Sequence, residues 1–578
     1  MGNYICNPLN ISYKYQFIKS FSKISVTREG ADPSLVLFKG KYYLFLSMNA
    51  GFYTSDDLAD WEYHFLEGTV PIHDYAPDVC VIGDYMYFCA SKLPGKNCPI
   101  YRSKDPINEP FTEVSCTFNF WDPKLFADDD GRVYMYWGCS NKTPIRVVEL
   151  NPKDMTQKGE VKELFLNQLD RCGYERLGED HEPAPSKSLF GRLMGVDKAP
   201  YIEGPWMTKY NGKYYLQYAT PGTQYNVYAD GVYISDSPMG PFKLVENNPF
   251  SYKPGGFCPG AGHGSTLKDK YGNWWHISTA RISVDHIFER RIGIWPAGFD
   301  QDGELFCNQR FGDWVMRVPQ ERSDPWQEPE WMLLSAGKKA YASSHVRGKG
   351  PEKATEENIR TWWRAASNSP GEWLKIDLGE VMDVRAIQIN FADDGLQVKP
   401  PRGVKMEGMP FMKRYIDTRP HYTRWILEAS KDDRNYFIVA DKSNAMTDLP
   451  HDLVVSEDGF YARYIKLTVI ELPFNQPATV SGLRVFGKAN KKPPIKAVNV
   501  QAKRLNDFDM EVSFKAPNAI GCNILWGHAP NKLYHCYTVY GENRKTIRAL
   551  VKGQKYFVRV DTFNEGGITH GDIIEVKE

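Results

Sequence analysis

One short pattern recurs five times in the first half of the chain: a glycine followed at once by an aromatic-rich strand. The copies are Gly40-Lys-Tyr-Tyr-Leu-Phe-Leu-Ser47, Gly83-Asp-Tyr-Met-Tyr-Phe-Cys-Ala90, Gly131-Arg-Val-Tyr-Met-Tyr-Trp-Gly138, Gly212-Lys-Tyr-Tyr-Leu-Gln-Tyr-Ala219 and Gly272-Asn-Trp-Trp-His-Ile-Ser-Thr279. A short apolar run such as Ser34-Leu-Val-Leu-Phe38 precedes the glycine, so each copy predicts a β-hairpin with the glycine in its turn. The spacings of 43, 48, 81 and 60 residues suit four-stranded units carrying insertions. Five such units predict a five-bladed β-propeller. A β-sandwich with similar hairpins is the competing architecture, and the fivefold recurrence disfavours it.

The 578 residues exceed one domain. Basic and acidic side chains balance at 71 each, which removes any global electrostatic reason to expect nucleic acid or an anionic membrane as partner. No apolar run reaches the roughly 18 residues that a membrane helix needs. The start, Met-Gly-Asn-Tyr-Ile-Cys6, lacks the basic and apolar regions of a secretory signal. The expectation is therefore a secreted, periplasmic or cell-surface mature form that has lost its signal, with a cytoplasmic location as the alternative. The 11 cysteines contain no C-x-x-C pair and are odd in number, which argues against zinc and against a full disulfide framework.

The repeat stops after Val318. Residues 1–322 are expected to form the propeller, and 323–339, with Ser323-Asp-Pro-Trp-Gln-Glu-Pro-Glu-Trp331, a Pro-rich connector. Period-2 strands such as Trp373–Leu378, Val384–Phe391 and Arg463–Val469 predict a β-sandwich over 340–487. A polar linker, 488–495, then leads to a smaller sandwich over 496–578. The fold class is all-β throughout.

Equivalent offsets in a repeat fold land on equivalent points in space. Eight or nine residues before each turn glycine stand Asp32, then Asp74 or Tyr75, then Asp122, Glu203 and His263. The inner strands of a propeller line one channel, so these residues are expected to converge at one end of it. Three carboxylates facing one pocket repel one another, and their pKa values must be pushed apart. Glycoside hydrolysis requires that arrangement: one acid protonates the leaving oxygen while a second carboxylate works at the anomeric carbon. The other acidic cluster, Glu179-Asp-His-Glu182, reads as a solvated loop.

These residues resemble glycoside hydrolase family 43. The resemblance is carried by Asp32-Pro33, Ser55-Asp-Asp-Leu-Ala-Asp-Trp61, Trp121-Asp-Pro-Lys124, Ile202-Glu-Gly-Pro205 and Gly262-His-Gly264, in the family's order. It implies an inverting, mostly exo-acting enzyme on arabinofuranosides or xylosides, with some members active on galactosides. It implies Asp32 as general base, Glu203 as general acid and Asp122 as the carboxylate that raises and orients the acid. It implies substrate contacts from His263 and from Arg290, although Arg291 stands beside it. Tyr75-Ala-Pro77 replaces the family's Trp-Ala-Pro, so a tyrosine would serve as the aromatic platform. No cofactor is required, but a structural calcium ion near the propeller axis, met by His263 through water, is implied as an option.

The expected activity is release of a terminal pentose or related sugar from plant-type polysaccharide, first as an α-L-arabinofuranosidase. β-Xylosidase, β-galactosidase, β-galactofuranosidase and a non-catalytic carbohydrate-binding propeller are the alternatives. The second domain resembles a discoidin-type sandwich through Gly371-Glu-Trp-Leu-Lys-Ile-Asp-Leu-Gly379 and Gly482-Leu-Arg-Val-Phe-Gly487, a module that can bind glycans. The last domain resembles fibronectin type III through Tyr556-Phe-Val-Arg-Val-Asp-Thr-Phe-Asn-Glu-Gly566. Neither holds a proposed catalytic carboxylate, so both are expected to be separable from the chemistry.

Overall fold

The structure, a computed structural model, describes residues 3–21, 23–66, 75–93, 95–182 and 199–578. Among these there is no α-helix, only strands and three short 3-10 turns. Asp74 lies outside the described residues, and Tyr75 begins the described part of its sheet.

Five antiparallel sheets follow one another from Ser34 to Cys307, each built outward from one innermost strand. Those innermost strands are Ser34–Phe38, Tyr75–Ile82, Lys124–Ala127, Ile202–Tyr210 and Gly262–Lys268. Each touches the next, and the fifth touches the first, so they close a ring. These are the blades of a β-propeller. The five repeat glycines sit at the hairpin turns with φ of +83°, +57°, +81°, +75° and +93°, a backbone that L side chains rarely adopt. The aromatic strand after each glycine packs between neighbouring blades; Phe45, for instance, lies against Phe52 and Phe88. At the closing end, Tyr4–Ile5 pairs with Met316–Arg317.

The C-terminal half forms two β-sandwiches. The larger is organised around Glu372–Phe391, which pairs with His451–Glu471 on one side and Thr479–Lys488 on the other. The smaller has a three-stranded sheet, including Val498–Arg504, facing a second sheet built on Gly521–Gly527 and Phe557–Asn564.

The halves are interlocked. The hairpin Lys14–Ser20 and Lys23–Glu29 shares a four-stranded sheet with Met412–Asp417 and Glu407–Met409. That sheet joins residues from both sides of the expected boundary at 322, so the two halves share backbone hydrogen bonds. Its buried Arg28 lies 3.2 Å from Asp448 and 3.5 Å from Asp393. The connector tryptophans reinforce the joint: Trp331 stacks on Tyr4, and Trp326 stacks on both Phe306 of the propeller and Tyr534 of the last sandwich.

Glu179–Glu182 is only in part the solvated loop expected of it: both glutamates are exposed, but the cluster is paired. Glu179 pairs with Arg281 at 2.7 Å and Arg360 at 3.4 Å, Asp180 receives the Tyr537 hydroxyl at 2.7 Å, and His181 is buried. Charges that look solvated in one dimension here hold the propeller to both sandwiches.

Candidate active site

Each innermost strand is entered through one residue with left-handed backbone: Asp32 (φ +50°), Ala76 (+46°), Asp122 (+51°), Gly204 (+56°) and His263 (+52°). A non-glycine residue there costs roughly 1 to 3 kcal/mol and persists where its surroundings over-determine it. The recurrence refines the register: Asp32, Asp122 and His263 occupy the kink itself, whereas Tyr75 and Glu203 stand one residue before it. At Gly204 even a Cβ would meet the His263 ring at 2.6 Å.

Neighbouring blades pin these kinks. The Ser47 hydroxyl accepts from Ala76 N at 2.7 Å and donates to Asp32 Oδ2 at 2.6 Å. Ser91 accepts from Asp122 N at 2.9 Å, and Thr279 accepts from Asp32 N at 2.8 Å, which closes blade five onto blade one. Asp230 accepts from the backbone N–H groups of His263 and Gly264.

One cavity of about 420 Å³ is lined by Asp32, Tyr75, Asp122, Glu203, His263 and Arg290, all six expected site residues. Cys139, Trp121 and Phe288 line it too, as do Met409 and Met412 from the C-terminal half. Arg290 Nη1 donates to Asp32 Oδ1 at 3.0 Å. Arg291 instead donates to His451 and to the Arg28 carbonyl, outside the cavity. His263 Nδ1 stands 3.3 Å from Asp32 Oδ1 and 3.8 Å from Asp122 Oδ2. Glu203 accepts from the Tyr228 hydroxyl at 2.6 Å and the Cys139 thiol at 3.1 Å. Ligand atoms of Asp122, Cys139 and Glu203 all lie within 4.8 Å of one another.

The carboxylates are driven apart electrically. Burial alone would raise Asp32, but the Arg290 guanidinium, His263 and the Ser47 hydroxyl outweigh it and hold its carboxyl below the ordinary value. Burial raises Asp122 to about 8; the nearby Glu203 and Asp32 charges push the same way and His263 opposes. At neutral pH Asp32 is therefore ionised, while Asp122 keeps its proton. Burial disfavours the His263 cation, but Asp32, Asp122 and Glu203 more than compensate and raise its pKa.

The donor set does not fit a calcium ion, which takes about six to eight oxygen ligands. Both nearby aspartates face the His263 Nδ1, and the other side of that ring packs on Gly204. Where inner strands of blades two, three and four meet, the cation is the Lys124 ammonium, 2.9 Å from Asp78 and 3.4 Å above the Trp206 ring. The Asp122, Cys139 and Glu203 cluster includes a thiol, a soft ligand ill-suited to calcium.

Residues 24–305 match Glycosyl hydrolases family 43, and residues 339–409 match the F5/8 type C domain. The chain carries a family 43 glycosyl hydrolase domain. It is 27% identical over 339 residues to "Xylosidase/arabinosidase 43A" of Humicola insolens, covering 48% of this chain and 95% of that one. It is 26% identical over 290 residues to "Beta-D-galactofuranosidase xynD" of Aspergillus niger, covering 42% and 74%. With "Arabinoxylan arabinofuranohydrolase" of Paenibacillus polymyxa the identity is 24% over 284 residues, and the match spans only 41% of that relative. A solved structure named "Glycoside hydrolase" aligns with TM-score 0.45 and 19% identity over 79% of this chain and 97% of its own. The protein is thus a glycosidase with a discoidin-like domain.

Cys139, Tyr228, Ser47 and Thr279 escaped the sequence reading as site residues. Ser47 and Thr279 close their own copies of the repeat, seven residues after the turn glycine, so a signal for them existed. Cys139 and Tyr228 carry no comparable mark.

Proposed function

We propose that this enzyme is an inverting, exo-acting glycosidase that releases a terminal pentose, foremost α-L-arabinofuranose, from plant-type polysaccharide. The observation that carries the reading is the charge separation within one pocket: an ionised Asp32 held by Arg290, opposite a proton-holding Asp122 and a Glu203 that accepts from Tyr228 and Cys139. In this mechanism Asp32 takes a proton from water as the water oxygen attacks the anomeric carbon. Glu203 gives its proton to the leaving oxygen as the glycosidic bond breaks, and both groups return to their starting states by exchange with solvent. Asp122 keeps the acid's proton in place, Tyr75 offers its ring as the platform, and His263 orients both aspartates. Arg290 meets the substrate beside Asp32 while fixing that carboxylate. A wall formed by Met409 and Met412 suits a pocket that takes a chain end.

The last sandwich is read as fibronectin type III-like with a structural role, and the discoidin-like domain as a glycan contact as well as a support for the pocket. The deciding experiment is a panel of aryl glycosides covering α-L-arabinofuranoside, β-D-xyloside, β-D-galactoside and β-D-galactofuranoside, with NMR of the first anomer released. Fastest turnover of the arabinofuranoside with inversion is the expected result. A first product of retained configuration would overturn the mechanism, and faster turnover of another sugar would reassign the substrate.

A further inference from the structure

Glu29 is completely buried and is not among the residues lining the cavity, yet it touches the catalytic machinery on one side and the C-terminal half on the other. Its Oε1 receives the Arg290 guanidinium through two N–H groups. Its Oε2 receives Arg414 Nη1 at 2.8 Å and Gln16 Nε2 at 2.6 Å, and Arg414 Nη1 also reaches Gln16 Oε1 at 2.8 Å. Arg414 belongs to Met412–Asp417, the strand that adds to the N-terminal hairpin. It is buried, and its guanidinium lies 4.7 Å from the Tyr75 ring centre and 4.8 Å from that of Phe288, two pocket residues.

Charges along this line alternate: Asp32, Arg290, Glu29, Arg414. Taken together the four sum to zero, which is what lets four ionised groups stay buried. Arg290 is drawn toward Asp32 by one carboxylate and away from it by the other. The second pull is weakened because Arg414, the second cation on Glu29, shares that carboxylate.

Building on the reading of Asp32 as base, we infer that Arg414 is a positioning residue for catalysis: acting through Glu29 and Arg290, it sets where Asp32 is held, so that the C-terminal half completes the active site of the propeller. The other groups facing Asp32 are Ser47 of its own blade, His263 from the same blade as Arg290, Asp122 from blade three, Tyr228 from blade four and Tyr75 from blade two. None of them belongs to the C-terminal half, which acts on Asp32 through Arg414.

The test uses the full chain and 4-nitrophenyl α-L-arabinofuranoside. Arg414→Met leaves Glu29 with Arg290 as its one cationic partner, which makes the surroundings of Asp32 more negative. The acidic limb of the kcat/KM profile should move up by roughly half a unit or more, and kcat should fall on the order of 100-fold with KM nearly unchanged. Glu29→Gln keeps the shape but removes the negative charge, so the same limb should move down. Arg414→Lys restores the charge and should bring the limb back. Opposite shifts from two substitutions on one line are not what loss of packing produces. Should Arg414→Met fail to fold, Glu29→Gln and Arg414→Lys still read the limb. A folded Glu29→Gln enzyme with an unmoved limb, or an Arg414→Met enzyme with a wild-type profile, overturns the inference. Asp32→Asn separates this from failure of the underlying reading. If Asp32→Asn is inactive while the other variants behave as wild type, only the relay is wrong; if it keeps full activity, the assignment of the base is wrong.

Discussion

The Cys139 thiol donates a hydrogen bond to Glu203 at 3.1 Å, from within the cavity wall. Burial, with the neighbouring Asp122 and Glu203 charges, pushes this thiol well above the ordinary cysteine range, so it is a neutral donor and a poor nucleophile. The thiol also lowers Asp122 through a hydrogen bond. Replacing Cys139 by Ala should therefore move the basic limb of the kcat/KM profile to higher pH, with kcat at the optimum within a few-fold of wild type. Iodoacetamide should modify the native thiol slowly. A limb that stays in place would reduce Cys139 to packing.

Asp122→Asn should have two effects of opposite value. The basic limb should fall by more than about one pH unit, because the carboxylate that Asp122 becomes above about pH 8 no longer disfavours ionisation of the acid beside it. Stability should change the other way. The Asp122 carboxyl rises from 3.8 unfolded to about 8 folded, so its contribution is present in acid and is lost as pH climbs through that window. The asparagine has no charge to bury, and its melting temperature should exceed wild type at pH 8 by more than at pH 5, by on the order of a few kcal/mol in stability at most. Equal melting temperatures at both pH values would contradict the raised carboxyl.

Gly204→Ala should strongly reduce turnover while the protein still folds. The added methyl would need left-handed backbone and would press on the His263 ring, which would shift the imidazole between Asp32 and Asp122. A loss of about 100-fold or more in kcat is expected from displacement on that scale, checked by steady-state kinetics beside far-UV and near-UV circular dichroism. Activity within a few-fold of wild type would show that the histidine tolerates movement.

A chain truncated after Asp324 should lose activity even on a small aryl glycoside. It would uncover Tyr4, Phe311 and Trp314, which pack against Trp331, Phe486 and Phe563, and would strip the N-terminal hairpin of its partner strand. The readouts are turnover and dye binding to exposed apolar surface. A soluble fragment with normal kcat would restore the view that the halves are chemically independent.

The propeller was legible because its signal is local and repeated: a turn glycine whose φ is positive in every copy, then an aromatic strand. The three carboxylates were legible for the same reason, since equal offsets within a repeat become convergence in space. Contacts between distant parts of the chain left no such trace. Arg414 sits in an ordinary-looking strand, Met-Lys-Arg-Tyr-Ile-Asp417, and nothing in one dimension ties it to Glu29, 385 positions earlier (414 less 29). The calcium expectation came from resemblance, whereas Lys124 offers a cation of the chain's own in that region.

The sheet shared by Lys14–Ser20, Lys23–Glu29 and Met412–Asp417 also sets a schedule. A ribosome adds roughly 5 to 20 residues per second, so on the order of tens of seconds separates the emergence of Glu29 from that of Arg414. During that interval the base side of the pocket stands without its far support. If Arg414 positions Asp32 as inferred, turnover has to wait for the second half to arrive.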